Sequence, residues 1–283
     1  MAIEFCHIAP TPHLDLVSGR KIHLALAHLV ETDENYVNYY LREKEEHGCK
    51  IILDNSAFEM YKQGKPMYES SKLITMGQRI NADWIVMTDY PAEPGEKTIE
   101  TAKKLAPEFK EAGFGTFFVP QSKIGDVKDV IKTFRWASQN PKLVDYIGVS
   151  ILTAPNAYGV EKGNKLQRFM SRVKLMYDMK ESMIFPIIKD NGQRVHFLGM
   201  MDGPNEIMYA SPFAKYVDTW DSSAAIWAGL NGIQFDSTPT GLVNGKFEKE
   251  VDFDEQVFDQ SFIDLAKKNM EYIDKLCYSY MWG

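Results

Sequence analysis

A chain of 283 residues, 45% of them hydrophobic, is long enough to bury a full core and fits one barrel-sized domain or two smaller ones. Its three cysteines, Cys6, Cys49 and Cys277, are too far apart for a CxxC metal knuckle or a disulfide framework, which points to a reducing compartment. A net charge of −7 argues against indiscriminate polyphosphate binding, though not against an enzyme with one local basic patch.

Apolar runs alternate with helical patterns along the whole chain. Ile22-His23-Leu24-Ala25-Leu26-Ala27 reads as a strand, and residues 31–47 as a charge-rich helix. The strand Ile51-Ile52-Leu53-Asp54 leads into a polar insert at 61–66 and a helix near 70–80. Trp84-Ile85-Val86-Met87-Thr88-Asp89 is followed by the turn Pro94-Gly95-Glu96 and a helix over 97–112. Phe117-Phe118-Val119-Pro120-Gln121 precedes a helix at 127–138. Tyr146-Ile147-Gly148-Val149-Ser150 precedes a long loop and a helix at 166–179. Val195-His196-Phe197-Leu198-Gly199 leads to a short helix at 205–209, and residues 216–220 form a seventh strand. Asn244-Gly245 marks a small hairpin within 235–253. Residues 255–278 carry an apolar stripe of Phe258, Phe262, Leu265, Ala266, Met270, Ile273 and Leu276, the signature of an amphipathic helix.

Seven or eight βα units without a compositional break predict one domain, 1–283, folded as an α/β (β/α)₈ TIM barrel with a hairpin insertion near the eighth unit. A doubly wound sheet would carry a glycine-rich turn after its first strand, whereas His28-Leu29-Val30-Glu31-Thr32 has no glycine. In a barrel the residues just past the strand ends meet at one mouth. Four such positions hold an acid or amide: Asp54, Asp89, Gln121 and Asp221. Singly, each reads as a helix cap or turn residue; jointly they read as a site. His23 and His28 fall on opposite sides of a continued strand, so neither a metal nor a cofactor is expected.

Five segments in chain order resemble the tRNA-guanine transglycosylase superfamily. Ile52-Leu53-Asp54-Asn55-Ser56-Ala57-Phe58-Glu59 resembles its general acid/base signature, and Ala82-Asp83-Trp84-Ile85-Val86-Met87-Thr88-Asp89 its base-reading strand. Val119-Pro120-Gln121 stands where the family has Val-Gln-Gly-Gly, and Tyr146-Ile147-Gly148-Val149 resembles its Gly-Leu-Ala-Val-Gly. Val217-Asp218-Thr219-Trp220-Asp221 is similar to its Val-Asp-Met-Phe-Asp, whose last Asp is the nucleophile. The islands run from about Ile22 to Gly232. Two departures stand out: the family's zinc cluster of cysteines and a histidine has no counterpart, and its Pro-Thr-Arg after the nucleophile is replaced by Ser222-Ser223-Ala224-Ala225-Ile226-Trp227. Both make the chain most like the bacteriophage and bacterial branch that places 7-deazaguanines in DNA.

The resemblance implies a pentosyltransferase that exchanges guanine in DNA for a free 7-deazaguanine base, with tRNA the alternative polymer. Asp221 would be the nucleophile and Asp54 the general acid/base. Asp89, Gln121, Gly148 and Val149 would read the base, with Phe58 and Tyr90 stacking on it; Trp220 reads better as core. The chemistry fits, because an N-glycosidic bond breaks through an oxocarbenium-like transition state that one carboxylate traps while a second acid protonates the purine. A base inside a stack must first be flipped out. Residues 161–181 are the most basic window, and Lys162, Lys165, Arg168, Arg172 and Lys174 are the candidate contacts to a nucleic-acid backbone. Arg168 and Arg172, four apart, share a helix face. The rival readings are a deazaguanine nucleoside hydrolase and a noncatalytic nucleic-acid-binding partner subunit. With no run of about 18 apolar residues and no signal-peptide start at Met1-Ala2-Ile3-Glu4, no membrane contact is expected and the place is the cytoplasm, the host's if phage-encoded. Whether two copies pair as a homodimer is left open.

Overall fold

The computed structural model describes residues 3–161, 163–201, 203–235 and 258–279. Eight short parallel strands form one sheet: β1 (Glu4–His7), β2 (Ile22–Leu26), β3 (Lys50–Asp54), β4 (Trp84–Val86), β5 (Gly115–Phe118), β6 (Tyr146–Ser150), β7 (Arg194–Leu198) and β8 (Thr219–Ser222). Each pairs with its sequence neighbour from β2 to β8, and β1 pairs with β8 in the register Glu4↔Thr219 to His7↔Ser222. β1 and β2 lie side by side, and among the described residues no ladder joins them. With helices between the strands, the chain is a (β/α)₈ barrel, nearly closed, as the alternation of patterns predicts.

The period of two along each strand separates two apolar layers. Cys6, Ile22, Leu24, Ile52, Val86, Phe117, Val119 and Tyr146 fill the barrel interior. Ile51, Leu53, Ile85, Phe118, Ile147, Val149, Val195, Phe197 and Trp220 face outward, under the helices. Truncating a fully buried ring such as Phe117 to alanine costs about 3–5 kcal/mol, so this layering fixes the strand faces firmly. Counting inward positions upward then gives Asp54, Ser150, Leu198 and Asp221 at the mouth.

Several boundaries differ from the sequence reading. The first strand is Glu4–His7, ahead of the Ile22 segment. The helix expected over 31–47 is two helices, Ala27–Thr32 and Glu34–His47, because the Asp33 carboxylate accepts from the Asn35 and Tyr36 N–H groups and starts a new one. Part of the 61–66 insert belongs to helix Ala57–Gln63, which stops at left-handed Gly64. The segment expected as a seventh strand begins only at Thr219, and Ser211–Tyr216 is a 3₁₀ helix. The hairpin at 235–253 lies, beyond Phe235, outside the described residues.

Helix Gln260–Ser279 buries Ala266, Met270, Ile273 and Cys277, while Phe262 of the expected stripe keeps 37% of its surface exposed. The helix packs on Ala224–Leu230 so closely that a Cβ at Gly229 would lie 2.3 Å from the Ala266 backbone. It also clasps the start of the chain. Asp274 meets His7 Nε2 at 3.0 Å and accepts two bonds from Arg20, at 3.1 and 2.8 Å. Burial works against the Asp274 anion, yet these donors hold its pKa at about 2.

Candidate active site

A cavity of about 760 Å³ opens at the C-terminal mouth of the barrel, and Asp54, Glu59, Asp89, Gln121 and Asp221 all line it. The strand-end acids and the amide singled out in the sequence therefore share one chamber.

Asp221 sits on the inner face of β8. Its Oδ1 accepts from His196 Nε2 at 2.8 Å and from the Gly199 N–H at 3.2 Å. His196 lies fully buried one strand away, with Nδ1 2.6 Å from Thr219 Oγ1. Both donors engage Oδ1, and Oδ2 has no partner among the described residues. One oxygen is anchored and the other is free to act.

Asp54 ends β3, and its Oδ2 accepts the Ser56 N–H at 2.8 Å. This is the turn-capping role a lone strand-end Asp would have, but here the same carboxyl also lines the cavity. Ser56 holds the left-handed conformation, φ 56°, which costs a non-glycine residue about 1–3 kcal/mol. Its Oγ lies 2.9 Å from His28 Nδ1, a bond that helps hold the strained turn. Burial pushes the Asp54 carboxyl well above the ordinary carboxylate range; the Glu59 charge adds to the push, as do Asp221 and Asp89 more weakly, against the Ser56 hydrogen bond. Asp54 is thereby kept as an acid.

Asp89 is buried between two amides. Asn55 Nδ2 donates to Oδ1 at 2.7 Å and Gln121 Nε2 to Oδ2 at 2.6 Å. Asn55 is itself fixed by donating to the Met87 carbonyl and accepting the Ala57 N–H. Burial raises the Asp89 pKa to about 6, although both amides favour the anion. The Gln121 amide is thus spent on Asp89 rather than free for a ligand, while its buried Oε1 has no partner.

A carboxyl whose folded pKa lies above its unfolded value loses stability as pH rises between the two. For Asp89 that window runs from the usual 3.8 up to about 6. Asp89→Asn should therefore unfold at higher urea than the wild type at pH 7, by on the order of 2 kcal/mol, with the gap closing towards pH 4. Gln121 can turn its unpartnered Oε1 towards the new amide. An equal gap at both pH values would show that Asp89 is not the titrating group.

Phe58 lines the cavity with 41% of its surface exposed, on the helix that starts just after Asp54. Three expectations about the base-binding residues need correction. Tyr90 is not in the cavity: it faces a separate groove with Tyr68 and Thr88, with the Lys97 ammonium 4.0 Å from its ring centre. Gly148 offers no close approach, because the space its missing side chain leaves is taken by Phe117, Leu198 and Val119. Val149 faces outward in the helix-side layer, and its carbonyl accepts from Arg172. The inward residue of β6 that does line the cavity is Ser150.

Arg172 is the largest departure. It is fully buried, ion-paired with Glu206 at 3.1 Å, and donates to the carbonyls of Val149, Leu198 and Gly199. It cannot meet a phosphate backbone; it ties together the ends of β6 and β7, including the Gly199 that supports Asp221. Arg172→Met should destabilise the fold by about 3–5 kcal/mol, since it removes the counter-charge of buried Glu206 and the donor to three carbonyls. A urea midpoint close to wild type would refute that. One turn nearer the mouth, Arg168 is half-buried. Lys174 is exposed, 4.4 Å from the Tyr158 ring centre and 3.6 Å from Asp178. Lys162 and the side chain of Lys165 lie outside the described residues.

Of the histidines weighed for metal, His23 packs on Tyr39 and Tyr40 beside Glu43, and His28 reaches the cavity wall. The reading from sequence missed His196, Glu59, Asn55 and Gly199. His196 had a signal, being a polar residue between Val195 and Phe197, in step with inward Leu198. The chain matches no family model and no curated protein.

Proposed function

We propose that this protein is a base-exchanging transglycosylase that replaces guanine in DNA with a 7-deazaguanine through a covalent Asp221–sugar intermediate. The observation that carries the reading is the pair of carboxyls in one cavity. Asp54 keeps its proton, and Asp221 is anchored through Oδ1 with Oδ2 unpartnered among the described residues. Glycosidic exchange needs one acid and one nucleophile in these two conditions.

Asp221 Oδ2 attacks C1′ as the C1′–N9 bond breaks, its electron pair passing to the purine. Asp54 gives that purine a proton and is left as a carboxylate. The purine leaves, a deazaguanine enters, and Asp54 takes the proton from its N9. That nitrogen then attacks C1′ and releases Asp221. The buried set of Asp89, Asn55 and Gln121 forms the polar floor against which a flipped base is read, and exposed Phe58 offers it a ring face.

DNA is favoured over tRNA because Ser222 and Ser223, in place of an arginine-bearing loop, line the cavity after Asp221. The test is incubation with labelled guanine and either duplex DNA or tRNA. Label entering DNA supports the reading, and label entering tRNA alone overturns the choice of polymer. Release of base without incorporation would make the protein a hydrolase. Arg168→Glu should weaken DNA binding and reduce the slope of log affinity against log salt by about 1 or more, leaving free-base binding unchanged. An unchanged slope would remove Arg168 from the interface.

A further inference from the structure

Ser56-Ala57-Phe58-Glu59 has the spacing of a capping box, in which the serine side chain serves a helix N–H and the glutamate turns back to the serine N–H. The structure forms neither half. Ser56 makes no side-chain cap, and its Oγ lies 2.9 Å from His28 Nδ1. The Ser56 N–H goes to Asp54 Oδ2 at 2.8 Å. Glu59 is thereby released from the helix end and lines the cavity, where its buried Oε2 has no partner among the described residues.

A buried acceptor left without a donor costs free energy, so its persistence calls for a reason. A second such atom belongs to the same chamber: Gln121 is almost fully buried, its amide nitrogen is spent on Asp89, and its Oε1 has no partner. Both atoms ask for a ligand that brings donors. They differ in what suits them. An amide oxygen is matched by a neutral N–H of a base edge, whereas an ionised carboxylate makes its shortest and strongest bonds to a cation. Among the described residues lining the cavity, the carboxyls of Asp54, Glu59, Asp89 and Asp221 face one ammonium, that of exposed Lys62.

On the transglycosylase reading, the chemistry of the base says where such a cation would sit. Asp54 serves N9, and C7 belongs to the same five-membered ring. A substituent on C7 therefore extends along the wall built by the end of β3 and the helix after it, which carries Asp54 and Glu59. The edge of the other ring is left to Asp89 and Gln121. Guanine has a bare nitrogen in place of C7, an acceptor like the carboxylate, while a deazaguanine has a carbon that can bear a substituent. We propose that Glu59 is a specificity-determining residue. Resting on that reading, it selects an incoming deazaguanine whose C7 substituent is positively charged, an alkylammonium or amidinium bound by its unpartnered carboxylate.

The test is calorimetric binding of free bases at pH 7, with no polymer and no turnover. Wild-type protein should bind 7-aminomethyl-7-deazaguanine about 10- to 100-fold more tightly than the 7-hydroxymethyl analogue, which matches it in size and lacks the charge. Glu59→Gln should erase that preference, and Glu59→Asp, which keeps the charge on a shorter stem, should retain part of it. Equal affinities in the wild type, or a full preference in Glu59→Gln, would overturn the proposal. A preference that depends on Glu59 while no base enters DNA or tRNA would uphold the selector and sink the transfer reaction. Base transfer without the preference would do the opposite. If neither deazaguanine binds, benzylammonium against benzyl alcohol carries the same contrast without a purine edge, and equal affinities there would remove Glu59 as a cation selector.

Discussion

Asp221→Asn should abolish base exchange, by at least about 10⁴-fold, while leaving the fold intact. The amide oxygen of asparagine can still accept from His196 and Gly199, so the local hydrogen bonds survive the change. What is lost is chemical: a neutral amide is a poor nucleophile and cannot stabilise a cation at C1′. Mass spectrometry of wild-type protein denatured during turnover should find a protein–sugar adduct that is missing in the variant. Near-wild-type exchange by the variant would remove the covalent step from the mechanism.

Asp54→Asn should slow exchange by about 10²–10⁴, the usual range for losing a general acid/base. The site makes a further demand on this variant. Burial and the neighbouring Glu59 charge keep Asp54 protonated well above the ordinary carboxylate range. Base departure in the wild type should therefore fail as pH rises through that shifted pKa, and the variant should lack this limb. A purine with an electron-withdrawing substituent leaves with less help from an acid, so the variant's deficit should shrink with such a substrate. An equal deficit for good and poor leaving groups would give the acid role to another residue, and Glu59, on the same cavity wall, would be the first to examine.

The barrel and the convergence of its strand-end acids were legible because both rest on short-range patterns. A buried parallel strand announces itself as an apolar run, and its last inward residue sits at the mouth whatever the rest of the chain does. What the sequence hid depends on partners far away along the chain. Glu4-Phe5-Cys6-His7 does not read as a strand, since its outward histidine is satisfied by Asp274, 267 positions later. Arg168 and Arg172 looked equivalent at a spacing of four, but only Arg172 lies over the carbonyls of Val149, Leu198 and Gly199, which need a donor. Gly148 invited a ligand because a glycine leaves space, and the neighbouring side chains had already filled it. Tyr90 was the avoidable error. It follows Asp89 directly, and neighbours along an extended backbone point to opposite sides, so a cavity-facing Asp89 sends Tyr90 the other way.

The pairing of β1 with β8, and its lack of a ladder to β2, set the order in which the molecule can be assembled. Strands β2 to β8 can zip in the order they are synthesised, each onto the one before it. β1 is made ahead of them all and must wait about two hundred residues for its partner, the kind of distant pairing that slows folding. Until then the growing barrel has an open slot beside Ile22 and Leu24, and the Cys6 strand hangs outside it. When Thr219–Ser222 arrives, β1 can dock, and Asp274 then latches it through His7 and Arg20. Since β8 also carries Asp221, the proposed nucleophile and the closure of the barrel should come into place in a single late event.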